Sequence, residues 1–151
     1  MKKIIIILII MLPSLSIAFQ NEPDRFRGIK WGTDITDLND MVKVTVKDGD
    51  PDTTYYSRSG GTLQLWGTSL QYIQYVFYKG RFSVVRIGFS GQGEFEALKS
   101  SLISNHGKAT RTSHSYTWTG KMTHISFLHG SLTFFHAPYY RQLINKYLSG
   151  E

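Results

Sequence analysis

Apolar and polar side chains alternate over most of residues 53–136, which is the period of strands with one buried face. Thr, Tyr and Phe are the commonest residues of these stretches, as is typical of sheets. Val42, Val44 and Val46 alternate in the same way and predict an earlier strand. The later pattern predicts strands over 53–58, 62–66, 70–78, 81–89, 114–119, 122–128 and 131–136.

The last three predicted strands form a meander whose register follows from its turns. Gly120-Lys121 and His129-Gly130 are typical of two-residue turns. The first turn would place Trp118 opposite Thr123, because a tight turn fixes the pairing. One face of the meander then collects most of the apolar side chains, and we expect it to pack on a helix. That face comprises His114, Tyr116, Trp118, Thr123, Ile125, Phe127, Leu132, Phe134 and His136.

The earlier hairpin, 70–89, is ambiguous although its turn at Lys79-Gly80 is clear. Strict alternation leaves apolar side chains on both faces. One face would carry Ile73, Tyr75, Phe77, Phe82, Val84 and Arg86, and the other Leu70, Tyr72, Gln74, Val76, Tyr78, Arg81, Ser83, Val85, Ile87 and Phe89. Three interpretations stay open: a β-bulge exchanges the faces midway, both faces are covered, or one apolar face awaits a partner.

Helical periodicity marks three segments. Thr33 or Asp34 can cap a short helix that has Ile35, Leu38 and Met41 on one side. A second helix is predicted over 94–105, and Pro138 can start a third. Their apolar stripes are Phe95, Leu98 and Leu102 in the second helix, and Leu143, Ile144, Tyr147 and Leu148 in the third.

Together these elements predict an α+β fold over residues 19–151, organised as a single domain. An antiparallel sheet of hairpins and a meander would carry two or three helices packed on one face. The order of a helix followed by strands occurs twice, which is compatible with a duplicated helix-plus-strands unit.

The first 18 residues have the pattern of a secretory signal peptide. Lys2 and Lys3 precede an unbroken apolar run over 4–12, and Ser16-Ile17-Ala18 offers small residues for cleavage. An uncleaved anchor is the alternative, but a spanning helix needs about 20 apolar residues. We therefore expect cleavage after Ala18, a periplasmic or secreted mature protein, and no transmembrane segment after cleavage.

Composition narrows the function classes. The 151 residues contain no cysteine, which removes disulfides, thiolate metal sites and cysteine nucleophiles. The chain has a net charge of +6, and residues 54–151 hold 10 basic against 3 acidic side chains. These cations are scattered rather than clustered, so nucleic acid is not an expected partner.

Asp48, Asp50 and Asp52 have the spacing that begins a calcium loop. A full loop needs glycine at its sixth position and glutamate at its twelfth, where this chain has Thr53 and Ser59. The segment is therefore either a degenerate calcium site or an acidic turn, and the choice stays open.

The sequence carries no visible catalytic constellation, and we expect neither an enzyme nor a cofactor. The five histidines, His106, His114, His124, His129 and His136, form no zinc-hydrolase spacing. Gly-x-Ser-x-Gly is missing from the sequence, and Glu94 and Glu96 point apart on a helix. Each histidine is interpreted as a core or rim residue, and no metal site is predicted.

Two groups of side chains form the predicted binding surface, since aromatic residues and arginine often anchor interfaces. Thr117, His124 and Phe135 make a row on the less apolar face of the meander. Tyr78 and Arg81 lie at the tip of the earlier hairpin.

Four segments resemble an uncharacterised family of small exported bacterial α+β proteins. They are Phe26-Arg27-Gly28-Ile29-Lys30-Trp31-Gly32-Thr33, Tyr75-x-Phe77-Tyr78-Lys79-Gly80-Arg81-Phe82, Asn105-His106-Gly107-Lys108 and Tyr116-x-Trp118-x-Gly120. The order of elements is also similar to the β-lactamase inhibitor protein and to the small lipoprotein of the outer-membrane barrel-assembly machine. These likenesses imply a fold and no activity.

The expected function is therefore a non-catalytic protein-binding or inhibitor-like module in the periplasm, with an envelope protein as a candidate partner. One alternative is a small envelope hydrolase that uses His124 or His136 with an N-terminal aspartate. Another is a carrier that holds a small apolar ligand between sheet and helix.

Overall fold

The computed structural model describes residues 19–47 and 49–150 and has the α+β fold that the pattern predicts. Its strands are β1 (Arg25–Phe26), β2 (Ile29–Lys30), β3 (Met41–Val44), β4 (Thr53–Arg58), β5 (Gln64–Leu65), β6 (Thr68–Ser69), β7 (Tyr72–Tyr78), β8 (Arg81–Gly88), β9 (Thr110–Arg111), β10 (Tyr116–Thr119), β11 (Thr123–Leu128) and β12 (Ser131–His136). Two helices, α1 (Gln92–His106) and α2 (Ala137–Ser149), accompany them. The predicted signal peptide, residues 1–18, lies outside the described residues.

Eight of the strands form one antiparallel sheet in the order β3-β4-β7-β8-β12-β11-β10-β9. Two four-stranded halves therefore meet where β8 pairs with β12. The pairs β1–β2 and β5–β6 are separate short hairpins. The sequence predicts a single short strand over 62–66, but a turn at Trp66 and Gly67, both with positive φ, makes a hairpin there.

One face of the main sheet, which we call the core face, packs against α1. Leu98 and Leu102 of α1 and Ile125 and Phe127 of β11 are all fully buried there. The stripe predicted for the second helix is therefore confirmed, because residues three and four positions apart share one side of a helix. Burial of these side chains is the main source of stability in a chain without disulfides.

A β-bulge and the covering of both faces together resolve the ambiguous hairpin, since Val76 and Val84, on the face away from α1, are 1% and 2% exposed. The register of β7 and β8 shifts between Val76 and Phe77, so that Val76 pairs with Val84 while Phe77 pairs with Phe82. Ser83 is the extra residue, and Phe82 thereby joins the core face. Strict alternation was wrong for Val84 and Arg86, which lie on the opposite face, and for Val85 and Ile87, which lie on the core face.

The meander is confirmed at its second turn, where Leu128 pairs with Ser131, but its first turn was wrong by two residues. Trp118 pairs with Ile125 rather than with Thr123. The Glu22 carboxylate, far away in the sequence, accepts hydrogen bonds from the backbone N–H groups of Met122 and Thr123 and so holds a longer loop open. A shift of two residues keeps every side chain on its predicted face.

The helix predictions need two corrections. The predicted first helix is only a 3-10 turn, Ile35–Asp37, capped by the Asp34 carboxylate, which accepts from the Thr36 N–H. The expectation that all helices pack on one face is also wrong, because α2 lies on the face opposite α1, which we call the outer face. Within the described residues, no helix has the length and apolar character needed to cross a membrane.

Candidate functional site

Helix α2 covers much of the surface that the sequence predicts for binding. The helix follows β12 directly, and the Ala137 N–H donates to the Met122 carbonyl, which turns the chain back over the sheet. The Tyr140 ring then stacks on the His124 ring, with centroids 3.9 Å apart and planes 8° apart. The Tyr140 ring also packs against the Phe135 ring, with centroids 5.0 Å apart. His124 and Phe135 are therefore partners of the protein's own helix.

Tyr78 belongs to the same cluster, while Arg81 and Thr117 do not. The neighbouring tyrosine of α2, Tyr139, packs on Tyr78 with ring centroids 5.0 Å apart. The Arg81 guanidinium lies 3.5 Å from the Asp34 carboxylate at the hairpin tip. Thr117 pairs with Ser126 and Thr110 near the far edge of the sheet. The structure thus brings together three of the five residues, beneath α2.

The predicted row Thr117, His124 and Phe135 is not an open surface, because His124 is only 5% exposed. Its Nδ1 lies 2.9 Å from the Thr119 hydroxyl, and burial lowers the pKa of His124 below its usual value. The ring is consequently neutral at neutral pH. A neutral imidazole packed between rings has the role of a core residue.

His136, the other histidine of the hydrolase hypothesis, stacks on Trp31 with centroids 6.2 Å apart. Burial, and to a lesser extent the charge of Arg141, lowers the pKa of His136. Across residues 19–47 and 49–150, no three histidine, aspartate or glutamate side chains gather as a metal site requires. The hydrolase hypothesis therefore gains no supporting geometry from these two histidines.

The exposed apolar surface of this region is on α2 itself. The end of the helix near the chain terminus presents Leu143, Ile144, Tyr147 and Leu148 to solvent, and Tyr147 and Leu148 are 83% and 76% exposed. All four belong to the stripe that the sequence predicts. Tyr139 and Tyr140 lie on the same side of the helix, one turn before Leu143 and Ile144. The sheet therefore covers the start of this side and leaves its later part exposed, and the periodicity does not show how far along the helix the cover extends.

The charged side chains of α2 are all positive. Arg141 and Lys146 are its ionisable cations, and the helix Ala137–Ser149 contains no acidic residue. A cation near the C-terminal end of a helix also suits the negative end of its dipole. The exposed apolar stripe therefore has a basic border.

A groove of about 570 Å³ lies beside α1 at the other end of the sheet. Lys99 stands 5.4 Å from the Phe95 ring centroid and forms an ion pair with Glu96. His114 Nδ1 lies 2.6 Å from the hydroxyl of its neighbour Ser113. These side chains that line the groove are engaged with one another.

In the part that the structure describes, the aspartates of the acidic turn make a backbone hydrogen bond and an ion pair. The Asp50 carboxylate accepts a hydrogen bond from the Asp52 N–H at 3.0 Å, and Asp52 lies 3.7 Å from the Lys79 ammonium. These contacts are those of a capped turn and an ion pair. Asp48 lies outside the described residues, so the choice between calcium site and turn stays open.

Comparison with known proteins finds no matching family model, no matching curated protein and no matching solved structure. The resemblance to a family of small exported bacterial proteins therefore stays a prediction.

Proposed function

We propose that this protein is an exported, non-catalytic protein-binding module whose binding element is α2. The observation that carries the proposal is the exposure of Leu143, Ile144, Tyr147 and Leu148 along one helix. A contiguous exposed apolar patch on a soluble domain is typical of an interaction site.

The two parts of α2 have different roles in this proposal. Tyr139 and Tyr140 fix the start of the helix to the outer face, so that the helix is ordered before it meets a partner. The later part can then enter an apolar groove as a preformed amphipathic helix. Preorganisation favours affinity because less conformational freedom is lost on binding.

The chemistry of α2 also describes the partner. Arg141 and Lys146 border the apolar stripe and would face acidic side chains at the rim of the groove. Tyr147 is the expected anchor, because tyrosine is enriched among residues that dominate binding energy. The partner is therefore an envelope protein with an acidic-rimmed apolar groove.

Replacing Tyr147 and Leu148 by serine tests this assignment. Both side chains are exposed, so we expect an unchanged melting temperature and the loss of the partner in pull-downs from envelope extract. The matched control carries Val42→Ser and Met122→Ser, which alter two side chains that are 53% and 45% exposed on other elements. Equal capture by the two variants, or capture of nothing by the unmodified protein, would count against a role for α2.

Export is part of the proposal. The apolar run over 4–12 and the small residues at 16 and 18 support cleavage after Ala18. Phe19, the next residue, packs edge-on against His106 at 5.4 Å, and the Gln20 N–H donates to the His106 carbonyl. The contacts of the folded domain therefore include the residue that would become the N-terminus after this cleavage.

We expect the protein recovered from the periplasm to start at Phe19, as measured by intact mass and N-terminal sequencing. A variant with Ala18→Leu should accumulate uncleaved, because the peptidase requires a small residue there. A full-length chain in the cytosolic fraction of cells expressing the natural sequence would refute export.

We also propose that the two halves of the main sheet derive from one duplicated unit. Each half is a four-stranded set, β3-β4-β7-β8 and β9-β10-β11-β12, and the two meet at their last strands. A helical segment precedes each set, namely the 3-10 turn Ile35–Asp37 and the helix α1. A superposition of the two halves in which these strands failed to align would contradict this origin.

A further inference from the structure

The hydroxyl of Tyr75 indicates a second candidate site, remote from the exposed end of α2. Tyr75 lies on β7 and is 1% exposed. Its hydroxyl oxygen is buried and has no hydrogen-bond partner in the part of the chain that the structure describes. Because burial removes a polar group from water, such groups are almost always paired in folded proteins. An unpaired buried hydroxyl is therefore a donor available to a ligand.

Tyr75 lines a small cavity between the β1–β2 hairpin and the end of β4. The cavity measures about 50 Å³ and is also lined by Arg27, Arg58, Leu63 and Ile73. A single water needs roughly 10–15 Å³ by such a measure, so the cavity admits a few heavy atoms. Its wall is part aliphatic and part cationic.

The two guanidinium groups differ in their charge partners. Arg58 donates from Nε to the Asp40 carboxylate and from an Nη atom to the Arg27 carbonyl at 3.0 Å. Arg27 donates to the backbone carbonyls of Thr62 and Gln64, and no carboxylate pairs with it among the described residues. Each guanidinium has five N–H donors and uses two in these contacts. The cavity therefore has spare donors and one uncompensated positive charge.

The state of the phenol is consistent with a donor role. Burial raises the pKa of Tyr75, and the charges of Arg27 and Arg58, together with the approach of their N–H groups to the phenol oxygen, oppose that rise without reversing it. The phenol consequently keeps its proton at neutral pH. Both guanidinium groups lie close to the phenol oxygen, but neither donates to it with full hydrogen-bond geometry. All three groups thus have hydrogen atoms to offer to an acceptor.

We propose that this cavity, the Arg27–Tyr75 cavity, binds a carboxylate group that accepts hydrogen bonds from the Tyr75 hydroxyl and from the Arg27 and Arg58 guanidinium groups. A planar carboxylate matches the fork of a guanidinium, and a monoanion balances the one uncompensated charge. Leu63 and Ile73 would contact the first carbon atoms beyond the carboxylate. The source is either a small organic acid or the end of a peptide.

The test measures the melting temperature of the purified protein in sodium acetate against sodium chloride at equal ionic strength. We expect a saturable rise specific to acetate, because a ligand that binds only the folded state stabilises it. A tripeptide with a free C-terminal carboxylate, compared with its amidated form, distinguishes the sources. Tighter binding of the free-acid tripeptide than of acetate identifies a peptide end, and binding of acetate alone identifies a small acid.

Tyr75→Phe and Arg27→Gln are the deciding variants. Tyr75→Phe keeps the ring in the core, so it should fold with an equal or higher melting temperature in chloride while its acetate affinity falls at least about tenfold. Arg27→Gln should lose the acetate response. The matched control, Arg86→Gln, removes the same charge from an exposed position on the outer face. This variant should keep the acetate response. An unchanged acetate response in both deciding variants, or tighter binding of inorganic phosphate than of acetate, would overturn the proposal.

Discussion

Phe127→Ala is expected to lower the free energy of unfolding by about 3–5 kcal/mol, which is the usual cost of removing a buried phenylalanine ring. Phe127 is fully buried on the core face. Its ring stacks on Phe95 of α1 at 4.8 Å and on Phe89 at 5.6 Å, so it joins the helix to the sheet. Loss of the ring would leave a cavity that the rigid strands on either side cannot close.

The neighbouring residue supplies the control. Leu128 lies on the opposite face of the same strand and is 38% exposed. Leu128→Ala should therefore change the free energy of unfolding by less than about 1 kcal/mol. Urea unfolding curves of both variants measure the difference. Similar losses in the two variants would mean that the faces of β11 are not those described.

Acid is expected to destabilise the fold as the pH falls below about 6.5, the ordinary histidine value. Burial lowers the pKa of His106, His124 and His136 in the folded protein. Between the unfolded and the folded pKa, the unfolded chain binds more protons, so the free energy of unfolding decreases with decreasing pH. Each histidine contributes at most about 1.4 kcal/mol per pH unit in that window. Above about pH 6.5 the histidines are neutral in both states, so they cause no further change in the free energy of unfolding with pH.

Urea unfolding at pH 8, 7, 6 and 5.5 measures this dependence. His124→Gln keeps a polar side chain beside Thr119 and should flatten the curve by the contribution of one histidine. Ser126→Ala, a change on the same face of β11 that alters no titratable group, should leave the slope as it is. If the free energy of unfolding is constant from pH 8 to pH 5.5, the lowered pKa values are wrong.

Local patterns were sufficient for most of the secondary structure. The stripe of α1 depends only on spacing along one helix, and Leu98 and Leu102 are indeed fully buried. The turn at Lys79-Gly80 was also predictable, because two residues with positive φ match the twist of a tight hairpin. These features need no knowledge of distant residues.

Features that depend on distant residues were not predictable. Glu22 sets the loop before β11 by accepting two backbone hydrogen bonds from residues far along the chain. The bulge at Ser83 reconciles two apolar faces of one hairpin, and the sequence allowed three ways to do so. Arg27, Arg58 and Tyr75 lie in separate strands or turns, and only the folded sheet brings them to one cavity.

The sequence by itself determined most of the longer helices and strands, and the apolar side of the meander strands and of both α-helices, because these follow from periods of a few residues. Tertiary structure alone decided how much of each apolar side is buried. It packed Tyr139 and Tyr140, at the start of one side of α2, on the outer face and left Leu143 and Tyr147, further along the same side, exposed to solvent. The physical reason is that periodicity gives the direction of a side chain relative to its own element, whereas burial depends on what lies opposite.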